Sequence, residues 1–130
     1  MVEQQKIERS TALYQDGRKA MDRGDLDAAV TLFRQSAEMF PHFKTLELLG
    51  DCLLQQKKAQ DAIIPLAASA GLGANPYRAM FLLAQALQAI GESEEALEKL
   101  DALIALDPEY KSALSLRESI RQSVDSSHPR

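Results

Sequence analysis

Catalysis or metal binding would need histidine, cysteine and acidic side chains within reach of one another, and this sequence offers few. Its two histidines have no partner at metal-ligand spacing: His42 follows Pro41 in a turn, and His128 lies near the C-terminus. The one cysteine, Cys52, stands between Asp51 and Leu53 in an apolar-periodic stretch, where it reads as a small core residue that can form no intramolecular disulfide. No serine or cysteine pairs with a histidine on ordered elements, and Gly71-Leu72-Gly73 is too short to cradle a phosphate. The acidic run Glu92 to Glu95 falls at a helix start, where carboxylates complement the positive end of the helix dipole. No catalytic residue, cofactor or metal is therefore expected, and the chain is read as a non-enzyme.

What must position the remaining side chains is a helical framework. Of 130 residues, 45% are apolar and only 5% aromatic, with Ala and Leu dominant, which favours helix over sheet and excludes a disordered chain. This length suits one domain. The formal net charge is −4 and the basic residues are scattered rather than striped, so no nucleic-acid partner is expected. No apolar run reaches membrane-spanning length, and the charged residues 1–10 do not resemble a secretory leader. No membrane insertion and a cytoplasmic location are the expectations.

Internal repetition gives the framework its form. Gly17, Ala29, Phe33 and Pro41 recur in register as Gly50, Ala62 and Leu66, and again as Ala84, Ala96, Leu100 and Pro108. Large apolar residues precede the small ones by four (Leu13, Leu46, Met80), and Ala20, Leu53 and Leu87 follow by three. Each unit reads as two antiparallel helices. The first runs from about Ser10 to Asp22, Gly24 ends it in a left-handed conformation, and Asp25 or Leu26 starts its partner, which Pro41 stops. Small residues at Gly17 and Ala29 let backbones approach while Phe33 fills the space beside them.

The second unit is irregular. Lys57-Lys58 stand where the other units have glycine and an acid, and Pro65 is predicted to kink the second helix or delay its start. Asn75-Pro76 is expected to supply an N-cap followed by proline at the first helical position. After Pro108, the stripe Tyr110, Ala113, Leu114, Ile120 and Val124 predicts a last, one-sided capping helix.

These residues together resemble the tetratricopeptide repeat, over roughly residues 10–124. The resemblance implies an all-α fold: a right-handed superhelix, or solenoid, of antiparallel helix pairs with about seven helices. Residues 1–9 would be an N-terminal extension or the start of the first helix. Repeats are expected at about 10–42, 43–76 and 77–110, with a capping helix at 111–124 and a flexible tail at 125–130.

The resemblance also implies an inner wall built from the first helix of each pair. Tyr14, Arg18, Lys44, Leu48, Asp51, Arg78, Phe81, Leu82 and Gln85 are the candidate partner-binding residues on it, apolar at four points and cationic at three. Leu48, Phe81 and Leu82 could instead pack in the core. Relatives that clamp the C-terminal carboxylate of heat-shock chaperones use a lysine and two asparagines at places that here carry Tyr14, Arg18 and Leu48, while Leu82 replaces a further basic residue. That clamp is therefore not expected. The function read from the wall is that of a protein-binding adaptor or assembly chaperone holding a peptide or helical segment of another protein. A self-assembling homo-oligomeric element is the alternative.

Overall fold

The computed structural model describes residues 2–73 and 75–127, and every element among them is an α-helix. In chain order they are α1 (Val2–Asp22), α2 (Leu26–Met39), α3 (Phe43–Gln55), α4 (Ala59–Leu72), α5 (Tyr77–Ala89), α6 (Ser93–Leu106) and α7 (Lys111–Ser127). Consecutive helices pack on one another throughout, and α3 also touches α5 while α5 touches α7. Contact of α3 with α5 and of α5 with α7 brings these helices together on the shorter, inner side of the stack.

One closing geometry recurs at the end of each first helix. Asp25 N–H bonds the Ala20 carbonyl at 2.9 Å and Gly24 N–H that of Met21 at 3.0 Å, with Gly24 at φ 79°. The third pair repeats it, with Glu92 bonded to Leu87 at 2.8 Å, Gly91 to Gln88 at 3.0 Å, and Gly91 at φ 87°. The second pair keeps the same two bonds, Lys58 to Leu53 at 2.8 Å and Lys57 to Leu54 at 3.0 Å. It does so with Lys57 at φ 65°, where a side chain is strained. The irregular sequence therefore makes the regular turn.

Beneath these turns the helices close on small residues. A Cβ added at Gly17 would lie 2.7 Å from the Phe33 ring, and one at Gly50 would overlap the Leu66 side chain. Ala84 takes this place in the third pair, opposite Leu100, and both are wholly buried. Phe33, Leu53, Leu66, Leu100, Leu103 and Ile120 are the largest wholly buried apolar side chains. Buried serines tie the first two pairs alike: Ser36 Oγ donates to the Ser10 carbonyl and Ser69 Oγ to that of Phe43, each at 2.7 Å.

Several details differ from the sequence expectation. The first helix begins at Val2, before the Ser10 expected from its apolar residues, so of the two alternatives for this stretch residues 2–9 are the start of that helix. Pro65 does not delay α4, which starts at Ala59 and runs through it. Burial of Ala62 and Leu66 on either side of the proline outweighs the one backbone bond it cannot donate. Asn75 is not the N-cap of α5: Pro76 holds that place without a side-chain cap, one residue later than expected. α7 continues to Ser127, so the expected tail is helical at 125–127, and His128 to Arg130 lie outside the described residues.

Candidate partner-binding face

The inner side carries side chains from α1, α3 and α5, and the structure treats the nine candidates unequally. Arg18 is exposed, with no ion-pair partner among the described residues. Tyr14 is half-buried, its ring tilted against Phe33 at 6.0 Å. Phe81 is half-buried in the same way against Tyr110, at 6.0 Å, and Gln85 is half-buried one turn further along α5. Leu48 and Leu82 are 8% and 5% exposed and belong to the core, the alternative the sequence left open for them.

Of the remaining three candidates, Lys44 and Arg78 meet at a fourth residue, Glu47, and Asp51 joins them through Arg78. Its carboxylate is 5% exposed, bonded to Lys44 Nζ at 2.9 Å and within 3.6 Å of the Arg78 guanidinium. Arg78 Nη2 also donates to Asp51 Oδ2 at 3.1 Å, which joins α5 to α3 across the inner side. Two cations and two carboxylates therefore balance at the centre of the face. Glu47 was not among the candidate binding residues; its charge, opposite in sign and three residues after Lys44, was the available signal.

A second feature went unrecognised. A cavity of about 420 Å³ opens where α1, the end of α2 and the start of α3 meet, with Tyr14 and Lys44 on its boundary beside Ile7, Phe40 and Phe43. Ile7 and Phe40 are 41% and 45% exposed. The 1–9 stretch held the signal, because Ile7 stands seven residues before Tyr14 on one helix face.

The chemical groups elsewhere are engaged in structure. His42 caps α3 by accepting the Lys44 N–H on Nδ1 at 3.2 Å, and it stacks on Phe43 at 4.7 Å. Cys52 is wholly buried, and burial, then the Asp51 carboxylate, pushes its thiol up to about 11. Among the described residues no group of three or more His, Cys, Asp or Glu side chains could hold a metal ion, and no helix is long and apolar enough to cross a membrane.

Comparison with known proteins agrees with this architecture. No curated protein matches the chain in sequence. Among solved structures, the first TPR of Spaghetti (RPAP3) bound to the HSP90 peptide SRMEEVD is 18% identical, covering 91% of this chain and 94% of its own, with a TM-score of 0.84. The MamA protein is 26% identical over 90% of this chain and 64% of its own, with a TM-score of 0.84. YrrB, described as a TPR protein with an unusual peptide-binding site, is 20% identical over 92% of this chain and 62% of its own, with a TM-score of 0.83. The seven helices thus form the right-handed superhelix of such domains. Two family models, each described as tetratricopeptide repeat, match residues 14–79 and 78–110, in step with the helix pairs. The repeated spacing, the recurring turns and these matches agree: the chain belongs to the tetratricopeptide repeat family.

Proposed function

We propose that this protein is a non-catalytic adaptor or assembly chaperone that holds a peptide or helical segment of a partner protein against its inner face. The observation that supports this best is the grouping, on α1, α3 and α5, of accessible aromatic and polar side chains around one balanced ion cluster. Tyr14 and Phe81 offer apolar anchors, and Arg18 and Gln85 offer polar contacts. Two of the compared structures carry peptide binding in their descriptions, which makes the same use of the fold here a natural reading. A clamp for an acidic chaperone tail is not part of it, because Leu48 and Leu82 are buried and Lys44 and Arg78 already hold carboxylates. A cytoplasmic setting suits the single buried thiol, Cys52.

The test is affinity capture on immobilised protein beside a Tyr14→Ala/Phe81→Ala variant shown by circular dichroism to be folded. Captured partners should fall by about tenfold or more, equivalent to at least about 1.4 kcal/mol. Equal capture by both would place the binding surface elsewhere.

A further inference from the structure

The cavity beside the first helix pair has an apolar boundary and a polar floor, and the chemistry of that floor decides what fits. Ser10 and Ser36 are 7% and 0% exposed and close on each other. Ser36 Oγ donates to the Ser10 carbonyl at 2.7 Å, and Ser10 Oγ to that of Ser36 at 3.0 Å. Thr11 Oγ1 donates to the Ile7 carbonyl at 2.8 Å. His42 Nδ1 accepts from Lys44 N–H, and Lys44 Nζ holds Glu47 at 2.9 Å. These engaged groups offer a polar occupant no new bond, which leaves the hydroxyls of Tyr14 and Thr45 and the second ring nitrogen of His42 as its side-chain partners on the boundary. An apolar occupant displaces water from Ile7, Tyr14, Phe40 and Phe43 and disturbs none of the bonds already made.

Charge narrows the choice further. The cation at the rim, Lys44, and its neighbour Arg78 are matched by Glu47 and Asp51, so neither is free to draw an acidic stretch to the cavity mouth. At about 420 Å³ the space lies within the roughly 300–1,000 Å³ of small ligand pockets, ample for one large side chain. Tyr14 and Lys44 border both the cavity and the inner face, so a chain lying on that face passes the cavity mouth.

Building on the proposed groove function, we infer that this cavity receives one large apolar side chain, leucine or aromatic, from an uncharged stretch of the partner's segment. The Leu or aromatic residue is the segment's anchor, and Tyr14 and Lys44 form the threshold it crosses.

Selection from a displayed library of random peptides about a dozen residues long, against wild type, Thr11→Trp, Phe40→Ala and Phe81→Ala, tests this. Thr11 is exposed and its hydroxyl serves only its own helix, so an indole there can obstruct the cavity without removing a core contact. Phe40, itself 45% exposed, gives a second variant on the opposite rim. Peptides enriched on wild type should share a leucine or aromatic anchor in an uncharged stretch. Thr11→Trp should weaken them by about tenfold or more, as should alanine at the anchor. Phe40→Ala should weaken them in the same direction. Peptides that depend on Phe81 yet ignore both rim substitutions would overturn the cavity inference and leave the groove function standing. Enrichment of acidic peptides would also overturn it, and no enrichment on any protein would overturn both readings. Concentration-dependent dimers in sedimentation, abolished by Thr11→Trp, would assign the cavity to a second copy of the chain and overturn the partner assignment.

Discussion

At the scale of single residues, close approach dominates. Phe33 is wholly buried with its ring against the open side of Gly17, so truncation leaves a void that two helix backbones cannot collapse to fill. Phe33→Ala should cost about 3–5 kcal/mol, a large share of the roughly 5–15 kcal/mol that stabilises a typical domain. Thermal or denaturant melting checks it, and a melting point near that of wild type would show that the ring is not where the packing requires it. Cys52 yields a pH prediction. Its thiol is raised from 9.0 to about 11, mainly by burial. The unfolded thiol ionises first, so the neutral buried form contributes stability that is complete below about pH 9 and lost as pH rises towards 11. At about pH 8 a thiol reagent should leave the folded protein unmodified and react fully once denaturant is added. Rapid labelling of folded protein would contradict the burial.

At the scale of elements, sequence was most informative where spacing repeats and least where one side chain substitutes for another. The positions of Gly17, Gly50 and Ala84 located three helix pairs because backbone contact leaves few residue types possible there. Lys57 was legible only as an irregularity, since nothing local says that a lysine will accept a left-handed backbone; the two closing bonds and the packing beyond them impose it. Pro65 likewise looked disruptive because its cost is local and the compensating burial of Ala62 and Leu66 is not. Lys57→Gly should relieve the strain and stabilise the fold by about 0.5–1 kcal/mol, after allowing for the greater freedom of glycine in the unfolded chain. A melting point unchanged or lowered by this substitution would mean that the turn stores no strain. The inner face was legible in part. Its helices followed from the family resemblance, whereas Leu48 and Leu82 stayed open between wall and core because a one-residue rotation separates the two on a helix, and burial puts them in the core.

At the scale of the molecule, one side of the stack differs chemically from the other. The inner face holds the two half-buried aromatics and the four-residue ion cluster that joins α3 to α5. The outer helices present mostly polar residues, with Ile64 and Leu72 on α4 and Leu106 on α6 as exposed apolar exceptions, Ile64 the most exposed at 80%. That asymmetry makes a direct comparison available within one protein. A photo-reactive amino acid placed at Gln85, on the inner face, or at Ile64, on the outer, would report which side a partner touches. Crosslinking of captured partner at position 85 and its absence at 64 is the expected result. Crosslinking at 64 with none at 85, in protein that remains folded, would contradict a partner held on the inner face.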